Sequence, residues 1–339
     1  MRELEIRLLG SDDVTGLSQW HAVHVAAEQR APGGACPWWR GQVVTRAANL
    51  GVHEWAGFWL GVVDGQPVVA GSITLPLADN LDLAVLEVFV APRARHQGHG
   101  GAMLALLEEE AAARGRRIGH AEVRFPMDGP ESGVGHPAVH FMTSRGWEMG
   151  LADVQRRVSI PIDETLLEGL AEEAAARHPA YGLVSFTGPV PEEYAEGYAA
   201  LAGSLLVEAP QGDLALEAEN PTVEVMRSRE QEASASGLTT WHTLAVTGDG
   251  EVAAYSTIFT STEDTSVGYQ WGTLVAPAHR GHRLGIAVKV ANHRQLQAGA
   301  APVGEIATWN AGVNDHMIAI NERLGFRPVE RNGEFQKQL

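Results

Sequence analysis

Cysteine is almost absent from this chain of 339 residues, and cationic side chains are few. The single cysteine, Cys36, excludes a disulfide within the chain and any zinc site built from several cysteines. Lysine and arginine number 25 against 42 aspartates and glutamates, which gives a net charge of −17. Because nucleic acids and anionic membranes attract basic proteins, this balance argues against either as a partner and favours cationic ligands.

Long apolar runs are also missing. No stretch of the sequence approaches the roughly 20 apolar residues that cross a membrane. The first residues do not show the basic region and apolar stretch of a secretory signal, so the expected location is the cytoplasm. The hydrophobic content of 45% allows a sizeable core, and the length suggests about two domains.

Two short landmarks occur twice at one spacing. Val90-Ala91-Pro92 recurs as Val275-Ala276-Pro277, and Asp64-Gly65 recurs as Asp249-Gly250, in both cases 185 residues later (275 − 90 and 249 − 64). Each Asp-Gly separates two apolar stretches, as in a β-hairpin. The shared offset indicates that the chain contains an internal repeat.

Each Val-Ala-Pro ends a strand-like segment that leads into a basic, glycine-bearing loop, a helical stretch and a further strand. This order predicts an α/β fold with a layered sheet in each half. The predicted strand, helix and following strand are 83–90, 101–114 and 118–125 in the first half, and 267–275, 286–297 and 303–309 in the second.

The boundary between the halves is marked by a strand and a helix. Residues 154–162 are predicted to form the last strand of the first half, and Asp163 is predicted to cap a helix over 163–177. A strand over 181–187 and a helix over 192–206 then begin the second half. The predicted domains are therefore 1–162 and 163–339.

The first glycine-bearing loop has the composition of a phosphate site. It reads Arg95-His96-Gln97-Gly98-His99-Gly100 and stands between a strand and a helix. Backbone N–H groups and the helix dipole give such a junction positive potential, so a pyrophosphate is favoured there. Gly98 allows the backbone to approach the phosphates, and Gly100 allows the helix to begin close to the sheet.

An Arg-x-x-Gly-x-Gly loop after a Val-x-Pro strand resembles the coenzyme A loop of the GNAT superfamily of acyl-CoA N-acyltransferases. The resemblance covers essentially the whole chain as two tandem GNAT-like domains, each a mixed central sheet flanked by helices. It implies acetyl-CoA as cosubstrate and a primary amine of a small molecule as acceptor. The second loop reads Arg280-Gly281-His282-Arg283-Leu284-Gly285, and its Arg283, in place of glycine, either meets a phosphate or crowds the pyrophosphate.

The superfamily's other signature is a helix of the form Asn-x-x-Ala-x-x-x-Tyr-x-x-x-Gly-Phe. The second half has Asn314 at the Asn position, which implies a contact with the coenzyme, but Asn321 replaces the Tyr that often protonates the thiolate. In the first half Gly135 and Met142 stand at these two positions. The acid therefore lies elsewhere, or one half has lost its chemistry, or water assists the departing thiolate.

The resemblance also implies a backbone N–H that polarises the thioester carbonyl where the central strand splays. The implied residues are Phe89 or Val90 in the first half, and Leu274 or Val275 in the second. Either residue of each pair could supply this N–H, because the sequence alone does not indicate which N–H faces the gap.

Glu87, on the first central strand, is the candidate base, acting through water unless it merely faces solvent. The second central strand offers only Tyr269 and Gln270. His140 is a candidate acid or base, and Asn321 is retained as the residue at the family's acid position.

Several other polar and aromatic residues have two interpretations. His120, Glu122, His136 and His140 could form a metal or base cluster, but isolated surface or core histidines are more common, so no metal site is predicted. The aromatic residues before the first hairpin either roof the acceptor pocket or fill the core; they are Trp20, Trp38, Trp39 and Trp55, with His53 among them.

The leading hypothesis is an N-acetyltransferase that uses acetyl-CoA and a small amine. The alternatives are a non-catalytic coenzyme A binding or sensing module, and acetylation of peptides or proteins. The better phosphate loop and Glu87 favour the first half for coenzyme binding, with the second half as a catalytic or substrate-shaping partner. The sequence does not indicate an oligomeric state.

Overall fold

The computed structural model describes residues 3–299, 301 and 303–339. The chain forms two compact units. Unit 1 contains Met1–Asp153, Gln211–Glu217 and Val329–Leu339, and unit 2 contains Val154–Pro210 and Ala218–Pro328. These units are not the linear halves 1–162 and 163–339, because the final strand and a short middle segment join unit 1. The linear halves stay a prediction about the repeat.

Helices and strands alternate along most of the chain. Through residue 159 they are β1 (Glu5–Leu8), α1 (Val14–Glu28), α2 (Arg40–Ala47), β2 (Glu54–Val63), β3 (Gln66–Pro76), β4 (Leu83–Val90), α3 (His99–Ala113), β5 (Ile118–Pro126), α4 (Pro137–Thr143) and β6 (Glu148–Ser159). After residue 159 they are α5 (Glu164–Ala175), β7 (Tyr181–Thr187), α6 (Glu192–Gly203), α7 (Leu205–Glu208), α8 (Val223–Ala235), β8 (Leu238–Thr247), β9 (Val252–Ser261), β10 (Val267–Val275), α9 (Leu284–Ala298), β11 (Glu305–Ala311), α10 (Asp315–Arg323) and β12 (Arg327–Gln338).

The sheet of unit 1 has the strand order β1-β2-β3-β4-β5-β12. Only β4 and β5 run parallel, and the other neighbours are antiparallel. Helix α1 covers one face, where Trp20 packs against Phe89, and α3 covers the other, where Met103 lies under Gly71. The β2–β3 turn has positive φ at both Asp64 and Gly65, which suits the twist of a hairpin.

The sheet of unit 2 has the order β7-β8-β9-β10-β11, with β10 and β11 parallel and the remaining neighbours antiparallel. Helix α9 packs on β8 and β9, and its apolar side joins Trp241 and Ile258 in one core. Helices α6 and α8 contribute to a second core with Leu244 and Tyr255. Each unit is therefore a mixed sheet with helices, and the predicted α/β fold is confirmed.

The strands that frame the two loops match the predicted bounds at 83–90 and 267–275, and each lies beside the strand that follows its loop helix. Asp163 caps α5 as predicted, since its carboxylate accepts from the Leu166 N–H at 3.0 Å. The strand expected over 154–162 instead spans Glu148–Ser159 and ends before Pro161, which has no N–H for a ladder. None of the helices in the described residues is both long and apolar enough to span a bilayer.

Candidate active site

The two parallel strands of unit 1 separate part-way along their length. Their pairing runs only from Leu83 with Ile118 to Val85 with His120. Beyond this point β4 continues to Val90 while the other edge of β5 stays paired with β12. A gap therefore opens beside the second half of β4, in the manner that the GNAT resemblance implied.

The alternation of the ladder decides which N–H faces this gap. The Ala91 N–H donates to the Val68 carbonyl at 2.9 Å, toward β3. In an antiparallel pair every second residue points its N–H to the partner, so the Phe89 N–H also faces β3 and the Val90 N–H faces the gap. In unit 2 the Ala276 N–H donates to Ala253, which likewise leaves Val275 rather than Leu274 facing away from β9.

The loop after β4 reaches α3 through left-handed backbone. His96 has φ 62° and Gly98, the N-cap of α3, has φ 88°. A Cβ on Gly98 would meet nothing within 4 Å, so its glycine is required by conformation and not by space. A Cβ on Gly100 would lie 3.1 Å from Val90, so this glycine lets the helix begin against the central strand.

One arginine and two histidines lie around the start of α3. Arg95 and His96 are exposed and His99 is half-buried, and in the described part of the chain none of the three side chains forms a hydrogen bond or ion pair. Gln97 donates to the Arg93 carbonyl at 3.3 Å. The first N–H groups of α3 lack partners within the helix, so anions are favoured here.

Arg145 adds a cation that the sequence analysis did not identify. Its guanidinium lies 4.0 Å above the Phe141 ring, and one of its nitrogens lies 3.0 Å from the Cβ position of Gly101. A cation at a helix N-terminus is unfavourable unless an anion lies between them. The arginine directly before Gly146-Trp147 was the sequence signal that could have indicated this.

Glu87 lies at the gap between β4 and β5. The Ser72 hydroxyl on β3 donates to its Oε2 at 2.7 Å. Burial raises the pKa of Glu87 to about 7, although the Ser72 hydrogen bond opposes the shift. A carboxyl group with a pKa near neutral can accept a proton and release it again at physiological pH.

Glu87 belongs to a row of polar side chains on the α1 side of the unit 1 sheet. Strand alternation and register place these residues on one face, which we call the polar face. Its members are Ser72, Glu87, His120, Glu122, Arg124, Asn332 and Glu334.

Arg124 joins the polar face to α1. It forms ion pairs with Glu28 and with Glu330, the latter at 3.0 Å, and Glu330 is fully buried. Glu28 also accepts from the Cys36 N–H, and Glu330 accepts from the Gly33 N–H. Arg124 therefore fixes the segment after α1 over the sheet.

His24, on α1, is a buried polar residue that the sequence analysis also missed. Its Nε2 accepts from the Trp38 N–H at 2.8 Å, so the proton of the neutral ring is on Nδ1. This Nδ1 has no partner among the described residues, although His24 is only 2% exposed. Burial lowers its pKa to about 3, and its ring lies 4.2 Å from that of Phe89.

The other first-half candidates have simpler surroundings. His140 is exposed on α4, and Met142, at the family's tyrosine position, is buried in the core. Trp20 is fully buried and donates to the Gly71 carbonyl at 2.8 Å, and it packs on Phe58 and Trp38. This part of the tryptophan group fills the core between α1 and the sheet.

The loop of unit 2 has the same backbone form but different side-chain contacts. Gly281 and Arg283 have φ 85° and 56°, and Arg283 is the N-cap of α9. Arg280 pairs with Glu208 at 2.5 Å, and Arg283 pairs with Glu173. The phosphate-binding cations expected at this loop are therefore engaged with carboxylates of unit 2.

The remaining loop positions of unit 2 serve packing. His282 lies 3.3 Å from the Arg177 carbonyl, and Leu284 is buried. A Cβ on Gly285 would lie 3.2 Å from Ile320 and 3.6 Å from Val275, so this glycine corresponds to Gly100.

A tyrosine occupies the place in unit 2 that corresponds to Glu87. Glu87 stands three residues before Val90, and Gly272 stands three before Val275. The Tyr255 hydroxyl lies 2.6 Å from the position that a Gly272 Cβ would take. Tyr255 packs on Tyr198 at 5.2 Å in the core of α6 and α8. The corresponding face of unit 2 is thus filled by aromatic side chains.

The two asparagines of the second signature helix both have structural roles. Asn314 caps α10, accepting from the Met317 N–H at 3.2 Å. Asn321 is buried, accepts from Lys289 Nζ at 2.7 Å and donates to Asn310 at 3.1 Å. Burial lowers the pKa of Lys289 to about 7. Their predicted roles in coenzyme binding and catalysis stay predictions.

Known proteins resemble both the sequence and the fold. Residues 27–128 match the acetyltransferase (GNAT) family. The fold matches a tandem GNAT protein from the clavulanic acid biosynthesis pathway over 99% of this chain and 98% of that one, at 26% identity and a TM-score of 0.81. Part of the chain therefore matches the GNAT family, and the whole chain has the fold of a tandem GNAT protein.

A second GNAT fold is similar over nearly its whole length. A GCN5-related N-acetyltransferase from Sphaerobacter thermophilus is 16% identical, with 99% of this chain and 95% of that chain covered and a TM-score of 0.64. No curated protein matches the sequence. The comparisons therefore support a GNAT acetyltransferase fold.

Proposed function

We propose that this GNAT protein transfers an acetyl group from acetyl-CoA to a primary amine of a small molecule, and that unit 1 performs the reaction. One observation carries the proposal: Glu87 lies at the gap between β4 and β5, directly before a loop whose Arg95 forms no hydrogen bond or ion pair among the described residues. Unit 2 has a tyrosine in place of the carboxylate and engaged arginines in its loop.

The residues around the start of α3 suit the pyrophosphate of the coenzyme. The left-handed residues His96 and Gly98 turn the loop, and Gly100 brings the helix close to Val90. Successive N–H groups and the helix dipole favour the phosphates, and Arg95 and Arg145 supply cations from two sides. The thioester then reaches the gap along β4.

The proposed reaction is a direct attack. The acceptor nitrogen forms a bond with the thioester carbonyl carbon, the bond from that carbon to sulfur breaks, and the coenzyme thiolate takes a proton from water. Glu87 accepts the proton that the nitrogen loses, through a water molecule. The Val90 N–H donates to the carbonyl oxygen as it gains negative charge. His140 remains a candidate proton donor, and its exposure is compatible with exchange with solvent.

Unit 2 is proposed to have no transfer activity of its own. Its loop arginines are paired with Glu208 and Glu173, and aromatic side chains fill the face where an acceptor would bind in unit 1. The sequence also predicts coenzyme binding by unit 2, through Val275, Gly281 and Asn314. This prediction is less favoured here than coenzyme binding by unit 1.

The test is purified protein with acetyl-CoA, a panel of small primary amines and detection of free thiol. Transfer should be strongly slowed in Glu87→Gln and retained in Glu109→Gln, which removes the same charge from an exposed position on α3. No thiol release with any amine, or equal activity in the two variants, would refute the proposal. Acetylation of peptides but not small amines would favour the peptide alternative.

A further inference from the structure

The polar face of unit 1 contains two carboxyl groups besides that of Glu87, and they belong to Glu122 and Glu334. Arg124 is its strong cation, and this arginine is already paired with Glu28 and Glu330. Glu122, on β5, has no lysine, arginine or histidine within ion-pair distance in the described residues. Glu334, opposite it on β12, has His120 at 3.5 Å.

Glu334 lies in a field of neighbouring carboxylates. Burial raises its pKa well above the usual range, and the charges of Glu122 and Asp153 raise it further. A cation placed between these groups would lower the same pKa by stabilising the ionised form. The charges of Glu122 and Asp153 therefore favour a positively charged ligand beside Glu334.

Asn332 supplies an independent sign of a ligand. It is 2% exposed, and its Nδ2 donates to Glu122 at 2.9 Å. The carboxylate fixes the orientation of the amide, because a rotated amide would bring two oxygens together. The Oδ1 of the same amide has no donor among the described residues. A buried acceptor without a donor costs free energy unless a ligand or water supplies one.

The geometry points to a second-amine subsite formed by Glu122, Asn332 and Glu334, which binds a distal ammonium group of the acceptor. This inference rests on the proposed function, and it narrows the acceptor to small molecules that carry two cationic nitrogens. Glu122 would provide the charge and Asn332 Oδ1 would accept from the ammonium.

Strand spacing sets the distance between the two nitrogens. The reacting nitrogen lies near Glu87 on β4, while the subsite lies on β5 and β12, one and two strands away. Paired neighbouring strands are about 5 Å apart, and β4 and β5 separate beyond Val85, so the two nitrogens should lie more than about 5 Å apart. Linear diamines with four or five methylene groups meet this requirement.

The test compares 1,4-diaminobutane with n-butylamine, which has the same chain and one nitrogen, and with 4-amino-1-butanol, which has a neutral second end. In the wild type kcat/KM for the diamine should exceed that for both by roughly tenfold, equivalent to about 1.4 kcal/mol. In Glu122→Gln and Asn332→Leu this preference should fall, mainly through KM. Glu109→Gln, the matched charge control on α3, should keep the wild-type ratio.

Failure of the subsite and failure of the proposed function give different results. Equal kcat/KM for diamine and monoamine in the wild type would overturn the subsite while leaving N-acetylation intact. If no amine is acetylated, calorimetry of 1,4-diaminobutane with the coenzyme-saturated protein decides. Binding that weakens in Glu122→Gln but not in Glu109→Gln would support the subsite, and no binding, or equal binding in both variants, would overturn it.

Discussion

Units 1 and 2 share a strand, a left-handed loop and a helix, yet they differ in what the side chains around these elements contact. In unit 1 the loop side chains of Arg95 and His96 form no hydrogen bond or ion pair with the residues that the structure describes, whereas Arg280 and Arg283 in unit 2 form ion pairs. In unit 1 Glu87 lies at the open gap, whereas Tyr255 fills the corresponding position in unit 2. The same backbone can therefore carry different side chains around its loop and its central strand.

The largest expected effect is at Glu87. Glu87→Gln should lower the single-turnover rate of acetyl transfer by roughly 100-fold, because the amine loses its proton acceptor. Coenzyme A affinity should change little, since Glu87 lies before the phosphate loop. Quenched-flow measurement with a saturating amine gives the rate. A loss of the same size in Asn314→Ala, with Glu87→Gln near wild type, would transfer the chemistry to unit 2.

The next largest effect is expected on coenzyme binding, which the comparison of the two units assigns to the loop of unit 1. Gly98→Glu should weaken coenzyme A binding by roughly tenfold or more, because the new carboxylate opposes the pyrophosphate. Gly115→Glu is the matched control, since Gly115 also has positive φ, no atom near its Cβ position and a place at the other end of α3. Titration calorimetry should show loss in the first variant only. Equal affinity in both would mean that unit 1 does not hold the coenzyme.

The pH profile follows from the state of Glu87. Only the ionised carboxylate accepts a proton, so kcat/KM should rise with pH and level off above about 7, the pKa to which burial raises this group. Below that pH the rate should fall about tenfold per pH unit. Glu87→Gln should flatten this part of the profile. A wild-type profile that is flat from pH 5 to 8 would contradict the role of base.

The buried lysine of unit 2 should affect stability and not catalysis. Burial lowers the pKa of Lys289 from 10.5 to about 7, so the unfolded chain binds more protons between these values and stability increases with pH. Between pH 7 and 10 this contribution should be about 2 to 5 kcal/mol. In Lys289→Met the rise in unfolding free energy should shrink, as measured by urea denaturation. An unchanged pH dependence would show that Lys289 has the same pKa in the folded and the unfolded chain.

The smallest effect is expected for Arg283→Gly. The left-handed conformation of Arg283 costs about 1 kcal/mol, and glycine removes this cost. Two losses of stability offset the gain: the exposed ion pair with Glu173 disappears, and the unfolded chain becomes more flexible. The free energy of unfolding, measured by thermal denaturation, should change by less than about 1 kcal/mol. Coenzyme A stoichiometry should also stay constant. A gain of a second binding site would show that Arg283 alone blocks coenzyme binding in unit 2.

Local sequence preferences specify the elements on which the candidate site depends. The Asp-Gly turns, the two Val-Ala-Pro strands and the cap at Asp163 follow from residues close together in the chain, whose preferences act without help from distant contacts. The same holds for the loop 95–100, because the positions of its glycines specify left-handed or closely packed backbone. These features were sufficient to predict the α/β fold and the likeness to GNAT proteins.

Contacts between distant parts of the chain specify which side chains meet at these elements. Asn332 reaches Glu122 across 210 residues of sequence because β12 pairs with β5, and no local pattern specifies that choice of neighbour. The ion pair between Arg283 and Glu173, and the tyrosine over Gly272, also depend on packing between elements distant in sequence. Backbone preferences act over a few residues, whereas burial and charge pairing act between whichever surfaces the fold brings together.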